Sequence, residues 1–297
     1  MSSPQTNKDP LGSCWMIAAA LCFTLMNLCI KAAAQKFGLY SGELVFWRMS
    51  FAAVVLGITA KAQGRTFSTP HWKTHLNRSV IGSAAMLCLF YAVMHLPLAT
   101  GVTLSYTSSI FLAVFSFLIF KERIAPYTQA VLVLGFAGVV LLLNPSFGSG
   151  LETAALAGLS GGAMSGWAYL QVRELSLLGE PGWRVVFYFS VTGMVLGAGW
   201  AAATGWHVPT ADMLPYLCTV GLSALVAQLS MTRAYKVGNK FTVASLSYLT
   251  VVFSSLAGIV LLGDKITWQE IAGMAIIVAS GILSGIKPIW IKQLFTR

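Results

Sequence analysis

One stretch of this chain occurs twice, and the rest of the sequence is best interpreted around its two copies. Residues 100–124 read TGVTLSYTSSIFLAVFSFLIFKERI, and residues 242–266 read TVASLSYLTVVFSSLAGIVLLGDKI. The same offset of 142 positions, without a gap, also pairs Leu28 with Leu170, Lys31 with Arg173, Gly57 with Gly199 and Ala92 with Ala234. The chain is therefore predicted to be a duplication, with halves at residues 1–147 and 148–297.

The composition places the chain in a membrane. Of its 297 residues, 57% are hydrophobic and only 9% are charged, whereas a soluble domain carries about 25% charged residues. Apolar runs long enough to cross a bilayer core, at ~20 residues each, occur at residues 11–30, 42–60, 80–94, 98–120, 127–143, 154–172, 185–204, 214–234, 242–262 and 268–286. We therefore predict an all-α integral membrane protein with ten transmembrane helices in two five-helix repeats.

The distribution of Lys and Arg predicts that both termini face the cytoplasm. The net charge is +10, and the basic residues concentrate in the loops that lie inside if the N-terminus is inside. Because each half has five spans, the second half must enter the membrane in the opposite orientation. The loop after the second span accordingly carries Lys61, Arg65, Lys73 and Arg78, whereas its counterpart at 205–213 has neither Lys nor Arg. This pattern predicts an inverted-topology repeat, a plan found in secondary transporters.

The closing motifs of the repeated stretch, with the glycines after them, resemble those of a known family. The first motif, at 120–124 (FKERI), precedes Gly135 and Gly138, and the second, at 262–266 (LGDKI), precedes Gly273. This layout resembles the EamA-like branch of the drug/metabolite transporter superfamily, and most of all bacterial ten-helix exporters of amino acids, aromatic ones included. The resemblance implies a multi-pass protein of the bacterial inner membrane.

No carboxylate is predicted in the middle of a span. All nine acidic residues fall at span ends or in loops, whereas a proton-coupling carboxylate lies within the membrane. We therefore expect facilitated diffusion down the substrate's own gradient, by alternating access. The alternative is a proton-coupled drug or metabolite efflux transporter that uses a glutamate at a cavity mouth.

An integral membrane enzyme is the remote alternative, and its motifs are missing. The sequence has no H-E-x-x-H, no Gly-rich phosphate loop followed by Lys-Ser/Thr and no closely spaced acids. Its five cysteines form no C-x-x-C pair. We expect no catalytic residue, no metal and no cofactor. The expected partners are the lipid bilayer and a small-molecule substrate, without nucleic acid, and the expected assembly is a monomer.

Candidate substrate-binding residues lie on polar or aromatic stripes at helical spacing. They are Thr24, Asn27, Phe90, Tyr106, Trp167, Gln228, Thr232 and Tyr248. A tyrosine inside a span needs a partner for its hydroxyl. Tyr106 and Tyr248 therefore either form an aromatic wall for an apolar zwitterion or make a hydrogen bond across the pseudo-twofold axis.

Three charged residues are assigned gating or structural roles. Arg48, about seven residues into its span, is expected to snorkel to the interface or to pair with Glu43; the alternative is that it holds a substrate carboxylate. Glu122 and Asp264 are expected to link the ends of the fourth and ninth helices to their neighbours. Lys31 is expected to be an interfacial anchor.

Charge also limits the substrate class. Cationic drugs favour a mid-membrane acid, which is missing, and phosphorylated substrates favour several inward-facing cations, of which the sequence shows at most Arg48. By elimination, neutral or aromatic amino acids, or similar small zwitterionic metabolites, fit best.

Overall fold

The computed structural model describes residues 14–120, 126–143, 149–237 and 246–285. Within these ranges the chain is helical and contains no strand. The helices are α1 (Trp15–Phe37), α2 (Ser41–Ala62), α3 (Trp72–His95), α4 (Leu98–Tyr106), α5 (Ser108–Phe120), α6 (Pro126–Leu143), α7 (Glu152–Leu177), α8 (Gly182–Thr204), α9 (Leu214–Val237), α10 (Leu249–Leu262) and α11 (Trp268–Gly285).

Two helices extend beyond their predicted spans, which moves charged residues away from helix ends. Helix α1 runs on to Phe37 and ends at Gly38, which adopts the left-handed conformation (φ 69°) and donates its N–H to Ala34 O. Only glycine takes this conformation without steric cost. Helix α3 begins at Trp72, two turns before the predicted start. Lys31 and Arg78 consequently lie inside helices.

The repeated Leu-Ser-Tyr motif interrupts its helix in both copies. Helix α4 ends at Tyr106, and Thr107 forms a turn whose hydroxyl donates to Leu104 O at 2.6 Å. In the second copy Tyr248 is the turn residue, between helical residues 246–247 and the start of α10. Both turn residues keep right-handed helical dihedral angles (φ −62°, ψ −17° at Thr107 and φ −69°, ψ −12° at Tyr248), so each copy has a one-residue helix break, and the two breaks differ by one position under the 142-residue offset.

The helices of each half pack mainly against helices of the other half. Helix α1 packs on α9 and α10, while α3 and α5 pack on α7. Helices α2 and α8 cross at Gly42 and Gly197, and a Cβ on Gly197 would lie 2.7 Å from the backbone N of Phe46. Small residues at a crossing let two membrane helices approach closely. The two halves therefore interlock and do not form separate lobes.

Among the described residues, six helical stretches are long and apolar enough to cross a membrane, and one of them runs through α4, Thr107 and most of α5: Trp15–Phe37, Ser41–Ala62, Trp72–His95, Leu98–Leu118, Gly182–Thr204 and Leu214–Met231. Three shorter apolar helices accompany them, at Val133–Leu142, Leu249–Leu262 and Trp268–Ser280. Large apolar side chains such as Ile58, Val140 and Val260 face outward, as expected where lipid is the solvent.

Candidate functional site

A buried ion pair joins three segments at one end of the bundle. Lys31 Nζ lies 2.7 Å from Asp264 Oδ1, and the two side chains are 4% and 11% exposed. Lys31 Nζ also donates to Leu96 O at 2.9 Å, and Leu98 N donates to Asp264 Oδ2 at 2.6 Å. The pair thereby ties α1 to the α3–α4 junction and to the end of α10. We call this end of the bundle the Asp264 end.

The expected role of Lys31 as an interfacial anchor is wrong. Its side chain is only 4% exposed, and its ammonium group has a carboxylate and a carbonyl as partners. Gly258 makes the arrangement possible, because a Cβ at that position would lie 2.8 Å from Asp264 Oδ2.

A second buried carboxylate lies at the same end, at the start of α2. Glu43 is 1% exposed and accepts hydrogen bonds from Tyr40 N at 2.9 Å and His207 N at 2.6 Å. The His207 ring, about one-third exposed, places Nδ1 3.0 Å from Glu43 Oε2. Glu43 therefore joins α2 to the loop after α8.

A third buried carboxylate belongs to the first turn of α11. Glu270 Oε2 accepts a hydrogen bond from Thr267 N at 2.8 Å and so caps its own helix. Its Oε1 accepts a hydrogen bond from Thr100 Oγ1 of α4 at 3.0 Å. Glu270 is 4% exposed. Hydrogen-bond donors stabilise its carboxylate, which has no cationic partner among the described contacts.

The opposite end of the bundle is held by Glu180, in the loop between α7 and α8. Its carboxylate accepts hydrogen bonds from Thr69 Oγ1 and from Arg184 Nη1 at 2.9 Å, and His75 Nε2 lies 3.3 Å away. The His75 ring stacks on Tyr188 with centroids 4.7 Å apart. These contacts attach the α2–α3 loop to the start of α8.

The pKa of Glu180 is lowered by these contacts. Burial alone would raise it, but the hydrogen bonds from Thr69 and Arg184 and the contact with His75 stabilise the charged form more strongly, so the pKa falls below its ordinary value of 4.5. A depressed carboxyl pKa contributes stability above the unfolded value, and this contribution is lost as the pH falls through the folded value.

We expect Glu180→Gln to lower the free energy of unfolding by about 1.5–3 kcal/mol at pH 7, because hydrogen bonds to a charged acceptor are lost. The wild type should lose this advantage below pH 4.5, so the two melting curves should converge in acid. Thermal unfolding of both purified proteins between pH 3 and 7 measures this. Glu174→Gln, an exposed carboxylate of α7, is the control. Parallel pH profiles for wild type and Glu180→Gln would contradict the assignment.

The two tyrosines of the repeated motif are in contact with each other. Their ring centroids are 4.9 Å apart at an interplanar angle of 36°, and Tyr106 Oη donates to Ser247 O at 2.7 Å. This bond reaches a backbone carbonyl next to the second helix break. Tyr248 is 7% exposed, while Tyr106 is partly buried. The structure therefore has a hydrogen bond between the two copies of the motif. The two tyrosine rings also form an aromatic surface beside the turn residues.

Arg48 does not pair with Glu43. Its Nη1 donates to Met86 Sδ at 3.0 Å, and its guanidinium carbon lies 5.6 Å from the centroid of the Phe90 ring. The group therefore points across the bundle to α3 and not along α2 to the nearer end.

The other predicted binding residues fall in separate places. Thr24, on α1, directs Oγ1 to Thr250 O of α10 at 3.5 Å, and Asn27 is buried one turn later. Trp167 of α7 lies against the Phe115 ring of α5 at 5.5 Å, edge to face. Gln228 is half-buried on α9. The described contacts thus bring Tyr106 to Tyr248 and Phe90 to Arg48.

Two sequence predictions lie outside the described residues. Glu122 falls in the range 121–125, and the side chain of Thr232 is not described, although its backbone belongs to α9.

Sequence reasoning missed Lys31 as the partner of Asp264, and it missed Glu180 as a tie between loops. A signal existed for the first. The offset that matches Asp264 with Glu122 also matches Lys31 with Arg173, so both halves keep one cation and one acid at fixed places. No comparable signal pointed to Glu180, whose partners Thr69 and His75 are more than a hundred positions away.

Comparison with known proteins gives consistent matches. Residues 10–144 and residues 152–286 each match the EamA-like transporter family. A pseudopaline exporter of Pseudomonas aeruginosa is 27% identical over 90% of both chains. A riboflavin transporter of Rhizobium johnstonii is 26% identical over 94% of this chain and 92% of its own length. One solved crystal structure superposes with a TM-score of 0.63 at 18% identity, covering 92% of this chain and 96% of the other, which shows a shared fold.

Proposed function

Because the chain belongs to the EamA-like transporter family, we propose that this membrane transporter exports amino acids, neutral or aromatic, or similar small zwitterionic metabolites. It is a multi-pass membrane protein and not an enzyme. The observation that supports the proposal is the Lys31–Asp264 pair, which joins three segments at one end of the bundle through side chains. Contacts of this kind can break and re-form, as alternating access requires.

The proposed architecture is ten spans in two inverted repeats, at residues 1–147 and 148–297. The reciprocal packing of α1 on α9 and of α3 on α7 supports it, since these pairs exchange under the 142-position offset. The two separate family matches support it as well. Under this architecture the Asp264 end faces outward, both termini are cytoplasmic, and the bacterial inner membrane is the host.

The substrate path proposed here passes the two helix breaks. Thr24 and Asn27 on α1, with Tyr106 and Tyr248, would line it near mid-membrane, where interrupted helices form the sites of inverted-repeat transporters. The names of the relatives, a pseudopaline exporter and a riboflavin transporter, support organic metabolites as a general class. A monomer suffices for this scheme.

Facilitated diffusion is proposed because the buried carboxylates lie at helix ends and have donors. Glu43, Asp264 and Glu270 each accept at least two hydrogen bonds. One observation favours the alternative, proton-coupled efflux: Glu43 is a buried glutamate at the start of a helix, and its carboxylate contacts the partly exposed His207 ring.

The test is export from bacterial cells that overproduce single amino acids, with and without the protein. We expect the release of at least one neutral or aromatic amino acid to rise several-fold. No increased release of any amino acid would reject the amino-acid assignment.

Reconstituted liposomes then distinguish the two mechanisms. We expect the substrate to equilibrate and not to accumulate uphill when a proton gradient is imposed. Uphill accumulation that is lost in Glu43→Gln would establish the proton-coupled alternative.

A further inference from the structure

The buried polar groups are satisfied at one end of the bundle and incompletely satisfied at the other. At the Asp264 end, Lys31 has a carboxylate and a carbonyl as partners, while Asp264 and Glu43 accept hydrogen bonds from backbone N–H groups. We call the end held by Glu180 the Glu180 end. There, His75 is 0% exposed, and neither of its ring nitrogens completes a hydrogen bond among the described residues. Its Nε2 only approaches Glu180 Oε2, at 3.3 Å.

Two arginines of the Glu180 end also have unsatisfied donors. The guanidinium carbon of Arg78 lies 4.0 Å from the centroid of the Phe189 ring, and its Nε and Nη1 are buried without a hydrogen-bond partner in the described part of the chain. Arg184 donates to Glu180 through Nη1 and to Thr66 O through Nη2, but its Nε is buried and unpartnered there as well. Buried donors without acceptors lower the stability of the arrangement that buries them.

This cost differs between the two ends. On α10, which leads to Asp264, the described buried atoms without a partner are two neutral hydroxyls, those of Thr250 and Ser254. An unsatisfied group costs more when it is charged, as a guanidinium is. Water can satisfy the donors of the Glu180 end only when that end opens. Opening should therefore cost less free energy at the Glu180 end than at the Asp264 end.

The Glu180 end is closed by side chains that tie one loop across another. The loop between α2 and α3 spans residues 63–71. Its Thr69 Oγ1 donates to the Glu180 carboxylate, and Tyr188 Oη of α8 donates to Phe67 O at 3.2 Å. The His75 ring of α3 stacks on the Tyr188 ring. Since these contacts are made by side chains, they can break without unfolding a helix.

A buried polar row on α3 continues inward from these contacts. His75, Ser79 and Ser83 recur every four positions and so share a face, and each is 0% exposed. The hydroxyls of both serines have no partner among the described residues. The row faces α8, where a Cβ on Gly193 would lie 3.1 Å from Ser83 Oγ. Buried polar groups are normally hydrogen-bonded, so a row without partners indicates that water or a polar solute reaches it in another state.

We propose that the Glu180 network is the gate of the transport path at this end, and that its opening admits water and substrate along the α3 face of His75, Ser79 and Ser83. This assignment rests on the proposed transport function and adds to it the end that opens more readily. Hydration of the unpartnered donors offsets the contacts that Glu180 loses on opening. The Lys31–Asp264 pair, whose groups already have partners, is the tighter closure.

Thiol labelling at two matched positions tests the proposal. Ser79→Cys places a thiol one turn inside His75, and Ser254→Cys places one a turn inside Gly258, whose added Cβ would lie 2.8 Å from Asp264 Oδ2. Both serines are 0% exposed. Iodoacetamide, which is small and uncharged, is reacted with the full-length protein in lipid nanodiscs. Peptide-resolved mass spectrometry follows each position beside the five native cysteines, and rates in the denatured protein correct for intrinsic reactivity.

We expect the thiol at position 79 to react roughly tenfold or more faster than the thiol at position 254, the scale of one hydrogen bond to a charged group in the opening equilibrium. Equal rates, or a faster reaction at position 254, would overturn the proposal. Asp264→Ala is the positive control for the second position. It breaks the pair that covers Ser254 and should raise the rate there.

A substitution in the gate then assigns the effect to Glu180. Glu180→Gln should raise the rate at position 79 by roughly tenfold or more, because charge-assisted hydrogen bonds are lost, and should leave position 254 unchanged. Glu174→Gln, at an exposed carboxylate of α7, is the matched control and should change neither rate. An equal rise at both positions would indicate general loosening and count against the gate, as would no rise at position 79.

A milder variant decides if Glu180→Gln does not fold. Tyr188→Phe removes only the hydroxyl that donates to Phe67 O and keeps the ring that stacks on His75. We expect the rate at position 79 to rise about two- to tenfold, the scale of one neutral hydrogen bond. An unchanged rate in Tyr188→Phe would overturn the gate.

Two further thiols test the path behind the gate. Ser83→Cys, two turns inside His75, should become reactive when combined with Glu180→Gln. Ala85→Cys is its control at similar depth, because Ala85 is 2% exposed and packs on Gly161 of α7, on the opposite side of α3. It should stay unreactive. Reaction at both positions, or at neither, would overturn the assignment of this face to the path.

The labelling experiment is independent of the substrate and so separates this proposal from the transport function. Export of an amino acid by cells, with position 79 as protected as position 254, would overturn only the gate. The expected labelling pattern without export of any metabolite would reject only the proposed transport.

Discussion

Replacing Asp264 with alanine is expected to destabilise the protein by about 3–5 kcal/mol, the cost of leaving one member of a buried ion pair without its partner. Lys31, 4% exposed, would keep a charge whose remaining partner is Leu96 O, and Leu98 N would lose its acceptor. Thermal unfolding of the purified protein in detergent measures the loss.

The double variant Lys31→Met with Asp264→Leu separates stability from transport. Replacing a buried ion pair by apolar residues is often neutral or stabilising, so we expect most of the stability to return. Transport should stay impaired, because the closure of the Asp264 end would no longer depend on a pair that can dissociate. Lys36→Ala and Asp212→Ala, at exposed residues of the same end, serve as controls. If Asp264→Ala had the same melting temperature as the wild type, the pair would not hold this end of the bundle together.

Gly197→Ala is expected to cost about 1–3 kcal/mol, as overpacking in a filled interior does. The added Cβ would lie 2.7 Å from Phe46 N and 2.9 Å from Gly42 O. Both atoms belong to the backbone of α2, so a side-chain rotation cannot relieve the contact and the helices must move apart. The expected loss has the opposite sign to helix propensity, in which alanine exceeds glycine by about 1 kcal/mol.

Gly199→Ala is the matched control, on the same helix two positions later. A Cβ there would have no atom within 4 Å, so we expect a neutral effect or a gain of up to about 1 kcal/mol. Melting temperatures of the two variants in the same detergent provide the comparison. Equal melting temperatures would show that α2 and α8 do not cross as closely as their backbones indicate.

Several predictions from the sequence were confirmed. The chain is an all-helical membrane transporter of the EamA-like family and not an enzyme. Long apolar runs are a sufficient signal for membrane helices, because unsatisfied backbone groups in lipid exclude other structures. The one-residue turns at Thr107 and Tyr248 were not predicted, because the spans 98–120 and 242–262 read as continuous apolar runs.

The positions of individual charges could not be predicted in the same way. Lys31 was assigned to a helix end because the apolar run stops at Ile30, yet α1 continues until Gly38. Arg78 was assigned to a loop for the same reason, yet α3 begins at Trp72. An apolar run indicates which residues contact the lipid hydrocarbon. The helix itself can continue beyond that run, through polar residues whose side chains face neighbouring helices.

The sequence by itself determined the membrane environment, the family and the repeated motif, since these depend on composition and on order along the chain. Only the tertiary structure decided which charged residues form ion pairs and which polar groups form hydrogen bonds. Lys31 and Asp264 are 233 positions apart, and Tyr106 reaches Ser247 across 141. Such contacts depend on how helices of one half pack against those of the other, and that packing is set by close crossings at small residues such as Gly42 and Gly197. The spacing of residues along one helix does not indicate which other helix carries their partners.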